Sequence, residues 1–283
     1  MANTHRSPGT AHKPLGATHT PEPASLARIP RSDRILIGCC LIAIVALAWS
    51  YLFYFDHQML LAMRQHELMA EMGMSMEQPW NTTDLLFTFM MWVVMMIGMM
   101  TGSAAPVIFL FAGAHARRNQ RGIPLIVLIF GLGYITVWVG FSACASFVQW
   151  ALHQAAMLSP AMAASNAKVG AAILCAAGLY QLTPLKRACL MHCQAPLGFL
   201  MTSWRDGGLG AFRMGMRHGA YCLGCCWALM LVLFVVGIMN LVWVAILTLF
   251  VLLEKTGPAG TVVARLAGAS MILAGAVLFA KAL

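Results

Sequence analysis

Charge is scarce in this chain. Only 10% of its 283 residues are Asp, Glu, Lys or Arg, against 60% hydrophobic residues and a mean hydropathy of +0.78. A globule with a solvated surface needs a larger charged share, so the balance points to an integral membrane protein. The short signatures of several enzyme classes are missing too: there is no Ser/His/Asp arrangement, no phosphate loop and no His-Glu-x-x-His zinc motif. Gly208 and Gly210 make no dinucleotide motif, because no strand precedes them and the full glycine spacing is absent. Without a nucleotide-binding motif, any transport would draw on gradients or on another protein. The net charge of +9 is not gathered into a basic stripe interleaved with aromatics, which argues against nucleic acid as a partner. The segment before Ile35 has no periodicity and no obvious small-residue cleavage site, so it reads as a disordered tail and not as a removed signal peptide.

What is present is a series of apolar runs, each near the length of about 20 residues that crosses a hydrocarbon core as a helix. They cover about 35–55, 85–111, 123–147, 168–183, 219–238, 241–254 and 261–281. The expected fold is all-α, a polytopic transmembrane helix bundle of seven helices, or six because the fourth and sixth runs are short. Residues 1–34 form the tail and 35–283 the helical domain, with an outer loop at 56–84 and an inner loop at 184–218. With the N-terminus inside, 15 of the 18 Lys and Arg residues fall on the inner side and only Arg64, Lys168 and Lys281 outside. That asymmetry predicts a cytoplasmic N-terminus by the positive-inside rule. It also puts the inner loop in a compartment that keeps thiols reduced.

Two cysteine groups lie about thirty residues apart: Cys189-Leu190-Met191-His192-Cys193 and Cys222-Leu223-Gly224-Cys225-Cys226. On a helix Cys189, His192 and Cys193 share one face. His218, Cys222, Cys225 and Cys226 follow spacings of three and four and occupy adjoining strips. Polar side chains persist in lipid mainly when paired, ligated or functional, so a soft-metal site is the sharp reading. Thiolates with an imidazole suit Cu(I), Zn(II) or an iron-sulfur cluster. The bland reading makes free Cys a small buried hydrophobe, and it is preferred for Cys39, Cys40, Cys144 and Cys175. The spacing predicts that Cys189, Cys193, Cys222, Cys225 and His218 converge at the inner ends of neighbouring helices, with His192 and Cys226 as alternates.

Methionine is the second signal, with 22 residues, many of them in two places. The outer loop carries His57, His66, Met72, Met74 and Met76 among other Met residues. Thioethers keep their ligand capacity in an oxidising compartment and prefer Cu(I), so this loop reads as a capture element, or else as an amphipathic helix on the membrane surface. In the second run Asp84, Met91, Met95 and Met99 share a helix face, a thioether ladder below an outer carboxylate. Either the ladder passes a soft ion through lipid or it is core filler. Gly215 with Gly219, and Gly131 with Gly133, would let helices approach closely. Glu254-Lys255 reads as an interfacial ion pair.

Further groups carry a resemblance. Met91-Trp92, Met95-Met96, Met99-Met100 and Pro106, Gly133-Tyr134 with Trp138, and the stretch from Tyr180 to Lys186 are followed by Cys189, Cys193 and Pro196. His218-Gly219, Cys222 to Trp227, Met239-Asn240, Trp243 and Glu254-Lys255 complete the set. Over about 85–283 the chain resembles a family of bacterial multi-pass membrane proteins labelled as predicted metal-binding, without an assigned reaction. The resemblance implies a multi-pass protein of the bacterial inner membrane.

The expected function is handling of a soft transition-metal ion, copper(I) before zinc, by delivery or transport and not by chemistry on an organic substrate. Its expected partners are membrane lipid and a metal chaperone or metalloenzyme. Two other readings remain at this point: a transmembrane thiol-disulfide relay, on the two-residue separation of Cys222 and Cys225, and a structural subunit of a membrane complex.

Overall fold

The computed structural model describes residues 29–72, 81–118, 122–155, 166–238 and 240–282, without the side chains of His66, Glu67 and Ala70. Among these residues every element is a helix: α1 (Arg31–Glu71), α2 (Thr82–Arg117), α3 (Ile123–Gln154), α4 (Ala167–Leu182), α5 (Pro184–Gln194), α6 (Pro196–Ser203), α7 (Gly207–Leu231), α8 (Leu233–Val236), α9 (Leu241–Thr256) and α10 (Gly260–Lys281). The all-α expectation holds, and all seven apolar runs are helical. Five stretches are long and apolar enough to cross a membrane. The count is six if α4 and α5, which meet at a 63° bend, form one broken span. The run at 241–254 is α9, only 16 residues long.

Three boundaries differ from expectation. Residues 56–71 do not form a loop but continue α1, since they hold helix formers and neither Gly nor Pro. At 1.5 Å per residue α1 is about 60 Å long, about twice the thickness of a bilayer core. The expected inner loop at 184–218 is also helical. Thr183 caps α5 by accepting a bond from the Lys186 amide at 3.2 Å, and Pro184 and Pro196 open α5 and α6 as prolines do in a first turn. The remainder of that stretch is the first half of α7. At the tail, helix begins at Arg31, directly after Pro30; residues 1–28 lie outside the described residues.

Glycine sets how closely the central helices pack. A Cβ on Gly133 of α3 would run into the Phe212 carbonyl of α7, and one on Gly215 of α7 into the Phe130 carbonyl of α3. Both positions therefore require a residue without a side chain. Gly131, by contrast, faces open space and takes no part in this contact. Gly178 and Gly268 bring α4 and α10 together in the same way. At Gly237 a φ of 99° turns the chain from α8 toward α9, which delivers the end of α9 to the middle of the bundle. Trp92, stacked on Phe234 and hydrogen-bonded through Nε1 to Gln149 at 2.7 Å, ties α2 to α3 and α8.

Candidate metal centre

Three thiols sit on one buried face of α7. Cys222, Cys225 and Cys226 are each at most 2% exposed. Cys225 Sγ and Cys226 Sγ donate back to the Cys222 carbonyl at 3.1 and 2.8 Å, the local bond that polar side chains three and four residues on make inside a helix. Cys222 lies fifteen residues after the start of α7 at Gly207, about 22 Å along its axis. The thiols of α7 thus sit past the middle of that helix, whereas Cys193 lies at the end of α5.

Helices α5, α3 and α9 close over this face. From α5, which packs directly on α7, comes the buried Cys193. Cys189 packs its sulfur on Gly224, where a Cβ would lie only 2.8 Å from Sγ. From α3 the Tyr134 hydroxyl is 3.0 Å from Cys222 Sγ and donates to the Met100 carbonyl at 3.3 Å. From α9 the Lys255 ammonium donates to Cys222 Sγ at 2.8 Å and to Ser103 Oγ at 3.3 Å. Cys226 Sγ and Met100 Sδ lie 4.0 Å from the same nitrogen.

The neighbouring Glu254 pairs elsewhere. Its Oε1 is 2.5 Å from Lys186 Nζ, with side chains 0% and 1% exposed, and Lys186 also bonds Gln181. Gln194 donates to the Glu254 carbonyl at 2.8 Å, so α5 and α9 are joined twice. The Glu254-Lys255 ion pair expected from sequence is therefore not formed. Adjacent helical residues point in different directions, and each finds its own buried partner.

The other expected ligands are distributed around the cluster. His218 is buried one turn before Cys222, its ring 5.7 Å from that of Tyr134, and its Nδ1 has no hydrogen-bond partner among the described residues. His192 is exposed: its ring stacks on Tyr221 at 4.3 Å and its Nδ1 lies 2.8 Å from the Ala188 carbonyl. Among the described residues, no three Cys, His, Asp or Glu side chains are gathered as a ligand cage.

Met91, Met95, Met96, Met99 and Met100 are all buried in the bundle, so the methionine face of α2 turns inward as expected and is wider than one stripe. Asp84 serves its own helix. It accepts a bond from the Asn81 amide at 2.9 Å, and Asn81 caps the Thr83 and Asp84 amides in return. The carboxylate that shares a small pocket with Met91 and Met95 is Asp56 of α1, together with Leu241 and Val244. Of the outer capture residues, His57 and Met72 are exposed on α1 and just after it. The side chain of His66, and Met74 and Met76 entirely, lie outside the described residues.

Sequence reasoning gave no site role to Lys255, Tyr134, Lys186 or Asp56. Asp56, Lys186 and Lys255 stand just beyond the ends of apolar runs, where an ionisable residue that becomes buried needs a partner to persist. Tyr134 was marked only by its place in the resemblance, which also held Lys186 and Lys255.

Residues 89–278 match the model of the PpoB2 family, described as a copper chaperone, and the chain belongs to that family. No curated protein and no solved structure matches the chain.

Proposed function

We propose that this protein handles copper as Cu(I) in the bacterial inner membrane, taking the ion along the methionine face of α2 and holding it at the thiols of α7 and α5 for delivery to a metalloenzyme or chaperone. The observation that carries the reading is the continuity of soft sulfur. Met91, Met95, Met96, Met99 and Met100 are buried on one helix, and Met100 Sδ and Cys222 Sγ flank the same ammonium, at 4.0 and 2.8 Å. Thioether and thiolate sulfur together select Cu(I) over harder ions. The lack of a three-ligand cage among the described residues suits this ion, since a structural zinc site takes four ligands in a tetrahedron. Family membership supports copper as the cargo, and the apolar helices support a bilayer as the setting.

The protein purified in detergent without oxygen is expected to bind Cu(I) stoichiometrically, with an X-ray absorption spectrum of sulfur ligands alone. Replacing Cys222 and Cys225 together by Ser should abolish binding while the fold persists. A double variant that still bound stoichiometric Cu(I) would remove the site from the reading.

A second reading draws on Cys193 of α5 and Cys225 of α7, two buried thiols on helices packed against each other, as candidates for a disulfide. All described cysteines are free thiols. A thiol-disulfide relay requires a thiol count that changes with the applied redox potential and a purified protein that holds no metal.

A further inference from the structure

We infer that Lys255 sets the valence of the ion this site accepts: its ammonium is the counter-charge to a monovalent soft ion held between two thiolates. The inference rests on the sulfur cluster being the copper site, as proposed above, and adds which charge that site is built for.

The ammonium is enclosed by Cys222 Sγ, Ser103 Oγ, Cys226 Sγ and Met100 Sδ at 2.8, 3.3, 4.0 and 4.0 Å. Lys255 is only 6% exposed, and no carboxylate stands within ion-pair distance of it among the described residues. Glu254 is occupied by Lys186. One positive charge is therefore left inside the cluster with only sulfur and hydroxyl groups around it, an arrangement that is strongly disfavoured in an apolar interior unless an anion completes it.

Charge counting then separates the candidate ions. Two thiolates with one monovalent ion carry a net charge of minus one, which Lys255 cancels. With a divalent ion the same two thiolates are already neutral, and Lys255 is left unbalanced beside a dication. A third thiolate would restore the balance for the divalent ion, but Cys222, Cys225 and Cys226, though they share one face, are not arranged as a three-ligand cage, and no other such cage occurs among the described residues. A soft monovalent ion needs no third ligand, and Met100 stands beside the pair as an additional neutral sulfur. Lys255 thus acts as a specificity residue through its charge, without itself being a ligand.

The test uses Ag(I), a monovalent stand-in that is not redox-active under these conditions, against Cd(II), a soft divalent ion. Both are titrated by competition into the full-length protein in oxygen-free detergent buffer. Wild type should bind a single Ag(I) per chain in preference to Cd(II). Lys255→Leu, which removes the charge without adding a soft donor, should weaken Ag(I) by about a hundredfold or more, the scale of removing one partner from a buried pair, and leave Cd(II) no weaker. Lys255→Arg, which keeps the charge, should keep the preference. Ser103→Asp supplies a carboxylate to the same ammonium without removing it, and should shift the preference toward Cd(II) even if Lys255→Leu fails to fold. The inference is overturned if Ser103→Asp, or a folded Lys255→Leu protein, keeps the wild-type ratio of Ag(I) to Cd(II) affinity. Wild type that bound neither ion would overturn the copper site itself. Wild type that bound Ag(I) with no dependence on these substitutions would overturn only the role of Lys255.

Discussion

Lys186 and Glu254 form an ion pair at 2.5 Å with both side chains shut off from solvent, and it joins the helix that carries Cys189 and Cys193 to the helix that carries Lys255. The pair is therefore part of the framework that sets the thiols of α5 against those of α7. Removing one partner leaves a buried charge uncompensated, whereas removing both leaves an apolar contact. Lys186→Met is expected to lower stability in detergent by about 3–5 kcal/mol, and Lys186→Met with Glu254→Leu to recover most of that loss. Thermal unfolding of the three proteins checks this. Equal destabilisation of the single and double variants would show that the ion pair is not what the structure depends on there.

The close approach of α3 and α7 gives a prediction with its own control. Gly133→Ala places a methyl group against the Phe212 carbonyl and should cost about 1–3 kcal/mol as an overpacked contact. Gly131→Ala, two residues away and facing open space, should be neutral or stabilising by up to about 1 kcal/mol, the helix-propensity difference between Gly and Ala. Unfolding midpoints that moved alike in the two variants would contradict this helix contact.

Met95→Leu with Met99→Leu tests the methionine face. The substitutions keep volume and should cost less than about 1.5 kcal/mol each, and the Cu(I) stoichiometry of the purified protein should stay unchanged. Copper entry into proteoliposomes should slow, because Leu offers no soft donor. Unchanged entry would leave these residues as packing.

The orientation of the bundle can be read by labelling. Single cysteines introduced at Glu71 and Arg118, the two ends of the α1–α2 pair, should react from opposite sides of sealed vesicles, with Arg118 on the inner side. Labelling of both from one side would invert or break the positive-inside assignment.

The apolar runs and their helical period were enough to point to an all-helical bundle, because unbroken apolar runs of about 20 residues fit helices, whereas the strands of a barrel are shorter and alternate apolar with polar residues. The same logic made the two cysteine groups legible as candidates, as it did the inward face of Met91, Met95 and Met99: side chains three and four apart share a face wherever the helix sits. Local spacing says nothing about which face meets which. The fold placed the α7 thiols in mid-helix and brought Asp56 to the methionines. It also separated Glu254 from Lys255, so that one completes the charge of Lys186 and the other meets Cys222. These outcomes follow from long-range packing, which glycine contacts and a bend between α4 and α5 help to set. A buried charge is decided by the groups at that distance, which lie 33 and 68 residues away in the sequence for Lys255 with Cys222 and Glu254 with Lys186.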